Sequence, residues 1–400
     1  MDVLGVTDYL GNVGGAEVSA NTILSALADH PETGRVGVVG MDFPRNDRLQ
    51  FDGVEVFPVS GNRAIDSLPE LVGDLVISRL LSRQIGELKA DFDVIHAHHR
   101  RSIMAVNRVE TTSPTVGTIR DFWPICPIST YTVGNEACSG CDTNLSACLS
   151  HQGWDGFREP VVRRYLLGKR RHNRSTYPGL SGTIFISRHL LDTIASEFDT
   201  SPRATVINNP VSIDPDDVNS ELFASPTFVT ASSLTREKGV GDVIDAFIAL
   251  SDSYPDAKLR IYGDGPQREE LERRSTGNNV YFHGRVSVAD VYDAFASATA
   301  VVFPSKWEEP FGRVTVEAMT LGTPVVGTRV GGIEEVIDDG NTGILVPPGD
   351  ADAIKTALRE LLDNDSAATK LGERARKAAR SYMPARIAEK HLQFYSELTN

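Results

Sequence analysis

Short β-branched runs alternate with helical stretches over most of this chain, and that alternation limits its fold more than any other feature. "VLGVTD", "RVGVVGM", "FDVIHAH", "PTVGTIR" and "GTIFIS" read as one set of strands. "TFVTASS", "KLRIYGDG", "NVYFHGR", "TAVVFPS", "PVVGTRV" and "TGILVPP" read as a second. Between them, "GAEVSANTILSALADH", "GVGDVIDAFIALSDSY" and "VADVYDAFASA" carry apolar residues at helical spacing. Nearly continuous apolar strands are buried on both faces, and repeated βα units imply parallel, doubly wound sheets. Two sets of units in 400 residues imply two α/β domains.

The first domain is expected over 1–208 and the second over 209–384. Their junction lies in "NNPVSIDPDDVNSELFASP", where Pro, Asp and Ser replace the apolar periodicity. After Pro384, "ARIAEKHLQFYSELTN" is amphipathic, so a last helix over 385–400 is expected to pack back on the first domain. A segment over about 121–160 breaks the βα rhythm and reads as an insertion.

A net charge of −14 argues against a nucleic-acid partner, which selects for a basic footprint. No run approaches the roughly 20 apolar residues of a membrane span. The opening "MDVLGVTDYLGNVGGAE" has neither a basic n-region nor an apolar h-region, so a cytoplasmic protein is expected.

In open α/β sheets, ligands bind beyond the carboxyl ends of strands, against helix N-termini. After the first strand, Gly14 and Gly15 in "GNVGGAE" would let a phosphate approach the backbone closely. This is not a G-x-G-x-x-G fingerprint, so a nicotinamide cofactor is unsupported. In the second half, "SSLTREKGVGDV" supplies Ser233, Arg236 and Lys238, and "IYGDGPQREEL" supplies Gly263. "YFHGRVS" places Arg285 and Val286 at the next strand end, and "EEPFGRVTVEAM" places Gly312, Arg313 and Val314 at a helix start. Singly, each is an ordinary turn with solvated charges. Four in succession describe a site for a nucleotide diphosphate. Glu317, about one turn inside that helix, then suits a ribose diol, and Glu309, in the loop, suits the group on the far phosphate.

These segments resemble the retaining glycosyltransferases of family 4 (glycosyl transferases group 1), which have the GT-B fold. Glu309 and Glu317 match the E-x7-E signature, with "KG" at 238–239, "GDGP" at 263–266, "FHG" at 282–284 and "GGIEEVIDDGNTGILVPPGD" at 331–350 in order. "GGAE" at 14–17 and "DVIHAHH" at 93–99 match in the N-terminal half. The resemblance implies two Rossmann-like domains facing each other across a cleft, with a C-terminal helix crossing back to the first. It implies that a hexose moves, with retention, from a nucleotide diphosphate sugar to a glycan, lipid-linked or polysaccharide acceptor in cell-surface glycan assembly, without a catalytic metal. Carried over, Glu317 binds ribose and Glu309 the donor sugar. Lys238 and the Gly312–Val314 amides neutralise the departing diphosphate, and the N-terminal domain takes the acceptor.

Two positions depart from the family pattern. Its usual Arg five residues before the KG lysine is here Ser233, with Arg236 nearby, and its strand-end His is here Arg120. Arg120 and His98 are the candidates for the acceptor side. The departures leave open a sugar-nucleotide epimerase or a catalytically silent scaffold subunit.

Within the insertion, Cys126, Cys138-x2-Cys141 and Cys148-x2-His151 offer five candidates for the four places of a structural zinc. Reduced, partly buried thiols are the competing reading. "FREPVVRRYLLGKRRHNRSTY" is basic and amphipathic, which makes an anionic membrane surface a candidate partner. A helix with one buried and one solvated face explains it equally well.

Overall fold

A computed structural model of the chain describes residues 1–11, 14–42, 49–61, 65, 67–133, 136–154, 156–176, 179–197, 199–200, 203–219 and 221–399. Asn12 and Val13 of the "GNVGGAE" loop lie outside them. The chain divides into two compact units. Met1–Tyr131, Cys138–Pro210 and Tyr382–Asn400 form the first; Thr132–Ala137 and Val211–Ser381 form the second.

The first unit contains β1 (Val3–Tyr9), β2 (Val36–Asp42), β3 (Glu55–Ser60), β4 (Val94–Ala97) and β5 (Thr115–Ile119). Between β5 and the rest of the sheet, β6 (Thr132–Val133) and β7 (Glu136–Ala137) make a separate antiparallel hairpin that groups with the second unit. The sheet is completed by β8 (Gly182–Phe185) and β9 (Ala204–Val206), in the order β3-β2-β1-β4-β5-β8-β9. Every pairing in it is parallel. The strand order reverses on either side of β1, which opens a crevice at its carboxyl end.

The helix Gly15–Ala28 buries Ile23, Leu24 and Leu27 on one stripe. The C-terminal helix Pro384–Thr399 buries Ile387, His391, Leu392, Phe394, Tyr395 and Leu398, and most of these join Val3, Leu24, Val38 and Val116 in one core. Each such large apolar side chain contributes about 1.5–3 kcal/mol by leaving water. This helix is therefore part of the first unit's core.

The second unit contains β10 (Thr227–Ala231), β11 (Lys258–Tyr262), β12 (Val280–Gly284), β13 (Ala300–Phe303), β14 (Val325–Thr328) and β15 (Ile344–Val346). They form a parallel sheet in the order β12-β11-β10-β13-β14-β15. Again the order reverses at the unit's first strand, here β10. Helices Val240–Ile248 and Ala351–Asp363 cover it with Val243, Ile244, Phe247, Ile354 and Leu358 over Phe228 and Leu259.

The insertion carries helix Cys141–His151 and leads into helix Glu159–Thr176. Leu145, Leu149 and Leu166 make its small buried cluster, backed by Ile128, Trp154 and Val162. Arg170, buried at 8% side-chain exposure, ties it down through Asp142 at 3.0 Å and Glu197 at 2.9 Å.

Candidate functional site

Four loops at the carboxyl edge of the second sheet carry the polar side chains. The β10 loop turns through a 3-10 helix, Arg236–Lys238, before helix Val240–Ile248. The β11 loop nests against it. Gly263 has φ +121°, and a Cβ there would stand 1.9 Å from the Ser232 carbonyl oxygen, so only glycine lets the two backbones touch. The β13 loop holds Glu309, and its backbone is locked from β14 by the Gly332 amide, which donates to the Glu309 carbonyl at 2.7 Å. A side chain at Gly331, φ +53°, would meet that carbonyl at 2.2 Å. The glycine pair thus sets where the Glu309 carboxylate can sit.

Lys238 Nζ lies 2.9 Å from Glu309 Oε2. The Trp307 indole N–H and, at 3.4 Å, the Ser305 hydroxyl donate to the same oxygen. Lys238 Nζ also stands 4.6 Å from the Trp307 ring centroid, within cation–π range. The carboxylate and ammonium are only 14% and 20% exposed, so their attraction is weakly screened. Both still reach solvent.

Glu317 lies on helix Arg313–Thr320, which starts at Gly312 with φ +82°. Its carboxylate is buried. Arg313 Nε donates to Oε1 at 2.7 Å and the Tyr292 hydroxyl to the same oxygen at 3.4 Å. Burial pushes the Glu317 carboxyl above its usual range, while the Arg313 charge and hydrogen bond and the Tyr292 hydrogen bond pull it back. None of the groups on Glu309 also contacts Glu317.

The remaining candidates of this edge fall on the same loops. Ser233, Arg236 and Arg285 are exposed, and Val286 is 38% exposed. Neither Arg236 nor Arg285 makes an ion pair among the described residues. Val314 follows Arg313 in the helix's first turn. Trp307 and Tyr292 were not singled out from the sequence. Trp307 had a signal, standing two residues before Glu309; Tyr292 had none, because it comes from the preceding helix, Val288–Ala296.

The carboxyl edge of the first sheet is built differently. Gly14 precedes helix Gly15–Ala28 in extended backbone, and Glu17 in the first turn is buried. Asp8 at the end of β1 accepts from the Ser102 amide at 2.8 Å, capping helix Arg100–Val106. Burial drives the Asp8 carboxyl up to about 6. His99 Nδ1 accepts from the Asp8 amide at 3.3 Å, and its Nε2 is 3.8 Å from Glu17. His98 is fully buried, and Arg120 Nε donates to its carbonyl at 3.2 Å while another arm of the guanidinium reaches Asn209. His98 and Arg120 are thus brought together. His96 is held by Tyr395 at 2.6 Å and Thr118 at 2.7 Å.

The cysteines do not form a ready coordination sphere. All four are free, and among the described residues no three Cys, His, Asp or Glu side chains are arranged to hold a metal. Helix geometry supplies part of the reason. Cys141 and Cys148 are the first and eighth residues of one helix, about 10 Å apart along its axis, whereas the sulfurs on one zinc sit about 2.3 Å from it. His151 is further along and exposed. Burial, the largest cause, pushes the Cys141 thiol up to about 12 and the Cys148 thiol to about 11. Cys126 accepts from the Tyr131 amide at 3.4 Å and Cys138 from the Gly140 amide at 3.3 Å.

The basic helix Glu159–Thr176 spends much of its charge inside the unit. Arg163 pairs with Glu159, Lys169 with Glu70, and Arg170 and Arg174 with Glu197. Its exposed large apolar residues are Val161, Tyr165 and Leu167. No helix among the described residues is long and apolar enough to cross a membrane.

Comparison with known proteins identifies the family and the fold. The model for glycosyltransferase family 4 matches residues 13–215, and that for glycosyl transferases group 1 matches 217–378. Sulfoquinovosyl transferase SQD2 of Arabidopsis thaliana is 36% identical over 147 residues, 36% of this chain and 29% of that protein. Glycogen synthase of Mycobacterium tuberculosis is 35% identical over 147 residues, 36% of this chain and 35% of that one. The chain thus spans about a third of the length of the curated relatives it matches. Among solved structures, HepE of Anabaena in complex with UDP-glucose superposes with a TM-score of 0.67 at 19% identity, covering 99% of this chain and 100% of that one. Sucrose-phosphate synthase of Thermosynechococcus elongatus gives 0.71 at 17%, covering 100% and 99%. At these identities the likeness establishes the two-domain α/β GT-B fold and nothing finer.

Proposed function

The chain belongs to glycosyltransferase family 4, and from that premise we propose that it moves a hexose, with retention, from a nucleotide diphosphate sugar to a glycan or lipid-linked acceptor in cell-surface glycan assembly. The observation that carries the proposal is the arrangement on the second unit's edge. Two carboxylates eight residues apart are each already gripped by a cation, Glu309 by Lys238 and Glu317 by Arg313.

In this reading Glu317 accepts from the ribose hydroxyls. Lys238 and the amides of Arg313 and Val314, at a helix N-terminus, take the negative charge of the departing diphosphate. Fixed donors aimed at a charge that grows in the transition state contribute more than flexible ones, because they need no reorganisation. Glu309, on Lys238 and Trp307, faces the donor sugar, and a sugar hydroxyl can replace the indole N–H as its partner. Arg236 and Arg285 draw the diphosphate in. The first unit takes the acceptor near His98 and Arg120. HepE, with UDP-glucose bound, makes a uridine donor the first to test.

A thermal-shift panel of UDP, GDP, ADP and their hexose conjugates tests the donor site. One nucleotide and its conjugate should raise the melting point by mass action. No shift with any of them refutes the site. Incubating the best conjugate alone separates the alternatives: slow hydrolysis supports a transferase, an epimerised product would make the chain an epimerase, and an unchanged donor a scaffold. Catalysis here uses no metal, so turnover should survive excess chelator.

Two peripheral proposals are separable. A structural zinc in the insertion would draw its four ligands from Cys126, Cys138, His151 and only one of Cys141 and Cys148; metal-free protein from zinc-supplied cells would refute it. Contact with an anionic membrane would use Val161 and Leu167, with Arg164 and Arg171 rather than the buried Arg170. Vesicle binding unchanged in Val161→Asp, Leu167→Asp protein would refute that.

A further inference from the structure

Arg313 stands where helix electrostatics disfavour it. It is the first residue of helix Arg313–Thr320, and a cation there opposes the positive end of the macrodipole. Its Nε is nevertheless fixed at 2.7 Å from Glu317 Oε1, one turn on. Tyr292 reaches the same oxygen from the preceding helix. Both donors therefore crowd Oε1. Oε2 accepts from no described residue and is not sealed from solvent.

A carboxylate so held has one oxygen satisfied and one open, in a fixed orientation. An acceptor-only group of that kind suits two adjacent hydroxyls, each of which can donate to it. We propose that Arg313 is a positioning residue: it holds the Glu317 carboxylate so that Oε2 is presented to the vicinal hydroxyls of a nucleotide's ribose, and it thereby sets the preference for ribo- over deoxyribonucleotides. This rests on the donor-site reading above and adds to it a role for the Arg313 side chain, distinct from that of its amide.

The chemistry explains why a cation is needed. Glu317 is buried, and burial alone favours the protonated acid. A protonated carboxyl would offer an O–H where a diol needs an acceptor. The groups that bear on its charge are Arg313, from its own helix, and Tyr292, from the helix packed beside it. Tyr292 is neutral and donates one hydrogen bond, so Arg313 alone supplies compensating charge.

The test is calorimetric titration of the full chain with UDP and with 2′-deoxy-UDP at pH 6.0 and 8.5, for wild type, Arg313→Met, Arg313→Lys and Glu317→Gln. Wild type should prefer UDP about tenfold at both pH values, the scale of one hydrogen bond to a charged group. Arg313→Met should lose most of that preference, and more of it at pH 6.0 than at 8.5, because without the guanidinium nothing offsets the burial that favours the protonated acid. Arg313→Lys should keep it in part, and Glu317→Gln should lack it at both. If Arg313→Met weakens UDP and 2′-deoxy-UDP equally at both pH values, Arg313 is only a phosphate cation and the proposal is overturned. If wild type binds UDP, GDP and ADP not at all, the donor-site reading itself has failed. A folded Arg313→Met protein, shown by an unchanged melting point, makes these outcomes readable.

Discussion

The carboxyl edges of the two sheets are topologically alike and chemically opposite. In the second unit, Lys238 pairs with Glu309 where both reach solvent, and Arg313 pairs with the buried Glu317. In the first, Asp8, Glu17, His96 and His98 are buried, with His96 tied to Tyr395 of the C-terminal helix. One edge holds charge ready for a ligand to take over. The other uses polar groups to fasten its own elements. A doubly wound sheet positions residues at its crevice, but whether they bind or brace depends on what else is packed there.

If that contrast is right, substitutions in the second unit should move ligand readouts and leave melting nearly unchanged, while those in the first should do the reverse. The largest effect is expected at Glu309. Glu309→Gln should bind free nucleotide nearly as wild type and lose about 10² to 10³-fold in turnover, the scale of one preorganised electrostatic contact. Steady-state kinetics beside nucleotide calorimetry measures this, and a variant with normal turnover would break the comparison from the catalytic side.

Glu317→Ala should weaken nucleotide and intact donor alike, by about 1.5–3 kcal/mol for lost hydrogen bonds to a charged group. The matching change in the first unit is Tyr395→Phe. It strands the buried His96 Nδ1 and should lower unfolding free energy by about 1–3 kcal/mol in denaturant titration, with nucleotide affinity intact. A Tyr395→Phe protein of normal stability but weaker nucleotide binding would invert the assignment.

Acid should also separate the units. Burial lowers His391 from 6.5 to about 4 and holds His96 and His98 well below their usual range. A histidine that folds neutral takes its proton only in the unfolded chain between the two pKa values. Its contribution is thus complete above about pH 6.5 and drains away as the pH falls toward 4. Asp8 runs the other way, since the burial cost of its raised carboxyl is relieved below about pH 6. His391→Leu isolates one histidine: its loss of stability from pH 6.5 to 5 should be smaller than wild type's by about 2 kcal/mol. Parallel curves for the two proteins would remove His391 from the account. The smallest effect is expected at Arg236. Exposed and without an ion pair among the described residues, it should change nucleotide affinity by about 1 kcal/mol or less in Arg236→Gln, fading with salt.

Much of the second unit was legible along the chain. Its strand ends, its helix starts and the Glu309 to Glu317 spacing are local patterns, because in a βα unit each loop's polar residues follow their own strand. Even Lys238 is marked by the glycine after it. The first unit's edge was less legible because its partners are remote: His96 and Tyr395 are 299 residues apart, and no spacing links them. The insertion was legible only in part, for a related reason. Cys138-x2-Cys141 and Cys148-x2-His151 read as half-sites, but only the fold shows that one helix carries Cys141 and Cys148 about two turns apart.

The sequence by itself determined that this chain makes two parallel sheets and which loops carry charge. Those follow from periodicity and turn residues, which act over a few tens of residues. Only the tertiary structure decided how each charge is used. It set Tyr292 from one helix and Arg313 from the next on a single oxygen of Glu317, and it buried Arg170 so that a basic helix became an internal brace. Pairing and desolvation depend on what packs alongside, and packing is fixed only when distant segments meet.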